Sequence, residues 1–223
     1  LSQDHKSLIN AGKLTFENFD ISNLDYSSNE FHYLLMFEIL DNLTHEKLMI
    51  DLQEKTTLQS FISSTNSNEN KEIWRQIEDP LIINTFNTWK DLHIKNDKLV
   101  LKTNNKDYTS FSLIRNIMNI FKLKKQINQF TLYLPIGFVR IIKSLKLKIP
   151  NTSFLLSDFS SLPSLDYNSN LYEINKPIIS RKLKDSWESK DFECVLEPEF
   201  GTTDVFFPTD FELISKLLEN EDY

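Results

Sequence analysis

Two carboxylates, Glu38 and Asp41, stand with a two-residue spacer between them at the end of an apolar run, and the amide of Asn42 follows the second acid directly. Acids so placed can meet a cation. Four residues past Asp41 comes His45, whose imidazole could deprotonate a nucleophile or touch a substrate if the intervening turn is helical. Plainer roles compete: Asp41 capping a following helix, Glu38 satisfying backbone amides, His45 on the surface. Asp158, Asp204 and Asp210 close other segments, so a magnesium-dependent hydrolase with converging carboxylates is a competing class. Such sites want two acids close along one strand end, and here Asp41, Asp158 and Asp204 are single acids from separate strands.

The element that must hold Glu38 and Asp41 is the run 33–43, YLLMFEILDNL. Its continuous apolar stretch reads as a strand buried on both faces, the habit of parallel sheets in α/β proteins. Its acids would then emerge at the carboxyl edge, where such sheets bind ligands. Around it, residues 13–25 read as a short strand and loop, 27–30 as a polar turn and 47–51 as a short strand. The polar stretch 65–70 (TNSNEN) reads as an exposed loop and a candidate module boundary. From 71 to 93 the spacing of Ile73, Ile77, Leu81, Phe86, Trp89 and Leu92 predicts helix, kinked or divided at Pro80. Residues 111–121 also have helical spacing, while 99–101 and 130–134 read as strands. Pro135 can open an amphipathic helix over 136–148, and 153–157 is a strand ending in Asp158. A loop rich in Ser, Asn and Pro (160–177) leads to a last strand, 204–207, and a helix over 211–218 capped by Thr209 or Asp210. No internal repeat is present.

At 223 residues and 40% hydrophobic the chain can bury one real core, and one globular unit is the default. A net charge of −7 argues against an intrinsic nucleic-acid binder, which would carry a basic face. The single cysteine, Cys194, excludes an internal disulfide framework and a cysteine-based zinc site. No apolar stretch approaches the roughly 18 residues of a membrane span. Residues 1–10 are neither a signal peptide nor an Arg-rich transit peptide, so any targeting sequence is expected before Leu1. His5, His32 and His93 lack metal-like spacing. The stripe Arg140, Lys143, Lys146 and Lys148 reads as a solvated helix face, and Trp74, Trp89 and Trp187 as core or interface anchors.

The segment FEILDNLTHE (37–46) resembles the strand and acidic turn of the mitochondrial protein-arginine methyltransferases that serve as complex I assembly factors, the assembly factor 7 family, and its fungal branch in particular. DPLIINTF (79–86), TLYLPIGF (131–138), LLSDFSSLP (155–163) and TTDVFFPTDFELI (202–214) agree in the same order, so the resemblance runs from about Phe16 onward. It implies an α/β, Rossmann-like, S-adenosylmethionine-dependent methyltransferase fold. The implied reaction moves a methyl group from S-adenosylmethionine to an arginine of a complex I subunit, in the mitochondrial matrix, in support of complex I assembly. By the same resemblance Glu38 and Asp41 are the catalytic acids that orient the guanidinium through paired charge-assisted hydrogen bonds. Asn42 and His45 then face the substrate, and Asp20, in ENFDIS, is the acid that reaches the adenine amino group of the cofactor. The family often has proline where Thr44 stands.

One departure is large. The family's N-terminal strand, glycine-rich turn and ribose-binding acid have no counterpart, because the three glycines, Gly12, Gly137 and Gly201, are isolated and form no GxG. Residues 1–223 are therefore expected to be the carboxyl part of one methyltransferase domain, lacking its N-terminal strands, with a mixed helical and β insertion over about 53–130. Such a piece is expected to be inactive alone. A methyltransferase-like scaffold or assembly module without catalysis is the competing reading. The expected partner is a protein substrate, and a homo-oligomer is compatible with the sequence.

Overall fold

The computed structural model describes residues 3–13, 27–64, 70–95, 98–99, 128–162, 172–183, 189–199 and 201–219. Asp20, the 13–25 strand beyond its first residue, the 111–121 helix and Trp187 lie outside them. In chain order the elements are α1 (Gln3–Asn10), β1 (His32–Phe37), a 3-10 turn (Leu40–Asn42), β2 (Glu46–Asp51), β3 (Thr56–Ser64), β4 (Asn70–Gln76), α2 (Pro80–His93), β5 (Ile94–Lys95) and β6 (Lys98–Leu99). After these come β7 (Gln129–Leu134), α3 (Ile136–Lys148), β8 (Thr152–Ser157), β9 (Tyr172–Ile174), β10 (Ile178–Lys182), β11 (Ser189–Phe192), β12 (Asp204–Phe206) and α4 (Phe211–Glu219). The architecture is mixed α/β.

Two sheets position the candidate site. β1 and β8 run parallel, in register from His32 opposite Thr152 to Phe37 opposite Ser157. The second sheet has the order β4-β3-β2-β7-β9, antiparallel except for the parallel β7/β9 pair, with Lys47 opposite Tyr133. Alternation explains its burial: Leu48 and Ile50 of β2 and Phe130, Leu132 and Leu134 of β7 face a core shared with Ile82 and Trp89 of α2. A smaller antiparallel sheet, β11-β10-β12, brings β12 alongside.

Three expectations are corrected. β1 is buried on one face only: Met36 is 1% exposed, whereas Tyr33, Leu35 and Phe37 are 77%, 56% and 54% exposed. Helices α3 and α4 cover the Met36 side with Phe138, Ile142 and Ile214, so an unbroken apolar run does not here mean two covered faces. Residues 71–76 are strand, not helix, and Pro80 begins α2 rather than kinking it, with Asp79 as its cap accepting from Leu81 N at 2.8 Å. Proline lacks the N–H that a helix's first turn leaves unpaired, so the start of a helix is where it fits best. Finally, β3 and β4 pair antiparallel as far as Ser64 opposite Asn70, so no module boundary separates these two strands.

Candidate functional site

The site lies where β1 and β8 end. Glu38 N donates to Ser157 O at 2.9 Å, completing the ladder, and Glu38 itself takes φ 52°, a left-handed conformation costing a non-glycine residue roughly 1 kcal/mol. That twist throws the chain into the Leu40–Asn42 turn and leaves the Glu38 side chain exposed. The turn is capped from far along the sequence, because Asp158 Oδ2 accepts from Leu40 N at 2.7 Å and Asp41 N at 3.2 Å while its Oδ1 accepts from Phe159 N at 2.7 Å. Asp41 is thus not the cap; it is 2% exposed and accepts from Asn42 Nδ2 at 2.6 Å. Its carbonyl accepts from Phe207 N at 2.9 Å, and Thr209 N donates to Phe159 O at 2.8 Å, so the segment after β12 is stitched to both strand ends.

Burial raises the Asp41 carboxyl above the usual range, the negative charge of Asp158 adds to this, and Glu38 adds a little more. The Asn42 hydrogen bond works against these effects. The ionised form is therefore disfavoured, and a cation held against this edge would favour it again.

His45 reaches the same place by a different route from the one its spacing suggests. The turn ends at Asn42, and His45 lies beyond it, its ring flat against Phe207 with centroids 3.9 Å apart and planes at 8°. Its Nδ1 lies 2.9 Å from Leu43 O. A carbonyl only accepts, so the ring proton is on Nδ1 and Nε2 is left as an acceptor. Burial pulls its pKa down to about 4, against the weaker pull of the Leu43 bond, which makes it neutral near pH 7. Phe207 also meets Tyr133 at 5.9 Å. Burial, then Glu173 and Glu72, drive the Tyr133 phenol upward, keeping it protonated. Lys47, paired with Glu72 at 3.0 Å, lies over the rings of Trp74 and Tyr133.

Glu38, Asp41, Asn42 and His45 are thus brought to one edge together with Asp158. Sequence reasoning marked Asp158 as a strand-end or cap candidate, without the turn that it caps, and missed Phe207 and Tyr133. The signal for Asp158 and Phe207 was present in the LSDF and FPTDF blocks and that for Tyr133 in TLYLPIGF, yet no local pattern tells which distant turn they serve.

The carboxyl edge of parallel strands is where α/β proteins commonly bind ligands, and the acids of this chain gather at such an edge. The family model described as "Putative S-adenosyl-L-methionine-dependent methyltransferase" matches residues 4–222, and the chain belongs to that family. No curated protein and no solved structure matches it. S-adenosylmethionine is the cofactor of the family. The described residues make only part of a site for it. The acidic edge suits the cationic groups of the cofactor, but a backbone cradle needs glycines at the strand-to-helix turn. Gly137 is committed elsewhere: its N–H donates to Thr44 O, and a Cβ there would stand 2.6 Å from Thr44 Oγ1. Gly12 and Gly201 are isolated turn glycines with φ 67° and 76°.

Proposed function

We propose that this chain is the carboxyl part of a Rossmann-like methyltransferase domain, with the insertion at about 53–130, that methylates an arginine of a respiratory complex I subunit in the mitochondrial matrix. The observation that carries the reading is the convergence of separate resembling segments. FEILDNLTHE, LLSDFSSLP and TTDVFFPTDFELI meet at one edge through Asp158, Asp41 O and Phe207 N, and TLYLPIGF joins them through Gly137 N and Thr44 O. In this reading the exposed Glu38 and the edge formed by Asp41 accept hydrogen bonds from the guanidinium and match its charge. Asn42, exposed beside them, accepts from or donates to the rest of the substrate, and Nε2 of neutral His45 accepts from it. The cofactor supplies the methyl group. Holding the arginine in place supplies much of the rate. The lack of paired glycines favours one competing reading, an assembly module that has kept the fold and lost catalysis.

The test uses the protein isolated in native form with whatever accompanies it, incubated with methyl-labelled S-adenosylmethionine and complex I subunits. Label in arginine is expected, and Glu38→Gln or Asp41→Asn should each lower the rate by roughly 100-fold, the usual loss when a charge-matching group is removed. Unlabelled subunits with the unaltered protein leave only the assembly module.

A further inference from the structure

At the candidate site the backbone donors of the Leu40–Asn42 turn are all engaged. Leu40 N and Asp41 N donate to Asp158 Oδ2 at 2.7 and 3.2 Å, Asn42 N donates to Ile39 O at 3.2 Å, and the next amide, Leu43 N, donates to Leu40 O at 3.2 Å. The donor that remains is the side-chain amide of Asn42, and its nitrogen lies 2.6 Å from Asp41 Oδ1. A carboxylate only accepts, so the NH2 end of that amide must face Asp41 and the carbonyl end, Oδ1, is left on the other side.

The acceptors are in the opposite condition. Asn42 and Glu38 are both exposed, and among the described residues neither Asn42 Oδ1 nor the Glu38 carboxylate accepts a hydrogen bond. Nε2 of His45 is an acceptor as well, because the Leu43 carbonyl holds the ring proton on Nδ1. Asp41 itself is 2% exposed, so a ligand at this edge meets Asn42 before it meets the Asp41 carboxylate. An edge that only accepts suits a group that only donates. A guanidinium has five N–H groups and no acceptor, whereas a ligand carbonyl or carboxylate would set acceptor against acceptor.

We propose that Asp41 is a positioning residue that holds the Asn42 amide in one of its two orientations, so that Asn42 Oδ1 and the Glu38 carboxylate select donor-only cationic side chains over ligands that carry an acceptor. This deepens the methyltransferase reading and rests on it for the guanidinium as substrate; the orientation of the amide rests on the turn alone. Asp41 then serves the substrate through Asn42.

The probes are two tripeptides, glycyl-arginyl-glycine and its citrulline analogue, in which one NH2 of the guanidinium is replaced by a carbonyl oxygen. Titrated calorimetrically into the full chain, the citrulline peptide should bind at least about tenfold more weakly than the arginine peptide. Asn42→Ala and Asp41→Asn should each weaken arginine binding by about tenfold, and the double variant by no more than either change alone, because both remove the same contact. Exchanging the pair, Asp41→Asn with Asn42→Asp, reverses the direction of the side-chain hydrogen bond and again leaves an acceptor facing outward. It should restore binding to within about twofold, a recovery that a misfolded turn would not show. No binding of the arginine peptide, equal binding of the two peptides, an Asn42→Ala variant that binds as before, losses that multiply in the double variant, or no recovery in the exchanged pair overturns the proposal. The labelled-cofactor assay keeps the two ideas apart. The expected binding pattern without methyl transfer sinks the methyltransferase reading and leaves the Asp41 and Asn42 pair, whereas transfer with multiplying losses does the reverse.

Discussion

A neutral imidazole is an acceptor, and two contacts hold His45 in that state: the Leu43 carbonyl fixes its proton on Nδ1, and the Phe207 ring excludes water from one face. The consequence can be measured through stability. The ordinary value of 6.5 falls to about 4 on folding, so between these limits the unfolded chain binds the extra proton. Stability from this residue is complete above pH 6.5 and declines toward pH 4, by about 2–3 kcal/mol at pH 4.5. Asp41 acts in the opposite sense. Its raised carboxyl makes the folded state the better proton binder just above 3.8, so its contribution improves on acidification. Comparing His45→Phe with the unaltered protein isolates the histidine. Urea unfolding at pH 7.5 and 4.5 should show a smaller acid loss in the variant by about that amount, and an unchanged pH slope would show that His45 titrates normally.

At the scale of elements, the Leu40–Asn42 turn is held between two strand ends and the start of a helix, and the helix start has no slack. Pro135 precedes α3, Gly137 N reaches Thr44 O at 2.8 Å, and a methyl group at Gly137 would lie 2.6 to 2.9 Å from three atoms of Thr44, two of them backbone. Gly137→Ala must therefore push α3 away from the turn, at a cost of roughly 2 kcal/mol and with faster exchange at Leu43 N. A variant with unchanged thermal midpoint and exchange would mean that the turn can move freely. Much of this element's setting was legible: Pro135 as a helix opener, the strand ending at Asp158 and the helix after Asp210 all follow from local chemistry, and Asp210 Oδ1 does accept from Leu213 N. The failure at 71–76 has a physical cause. Ile73, Ile77 and Leu81 fit a helical spacing, but Ile73 sits opposite Phe61 in a hairpin, and pairing overrides spacing in so short a segment. Nor could local pattern reveal that Asp158 caps a turn 118 residues earlier.

For the molecule as a whole, the question is whether the parallel pair and the five-stranded sheet fold as one body. The same two helices enter both cores. On α3, Ile136 and Val139 pack with the five-stranded sheet and Phe138 and Ile142 with the parallel pair; on α4, Leu213 and Leu217 face the former and Ile214 the latter. This division follows the helical period, and the sequence showed α3 only as an amphipathic helix without telling that it serves two cores. Phe138, 1% exposed, is the largest buried side chain on the parallel-pair side of α3. Phe138→Ala leaves a cavity worth about 3–5 kcal/mol. If the helices act as splints, that loss is shared. Calorimetry should show a single transition lowered by roughly 10 °C, and exchange at Met36 of β1 and at Leu132 of β7 should quicken to similar extents. Two transitions, only one of them shifted, would mean that β1 and β8 unfold independently. The candidate site would then be built on the less stable part of the molecule, held in place mainly by the Asp158 and Phe207 contacts at its edge.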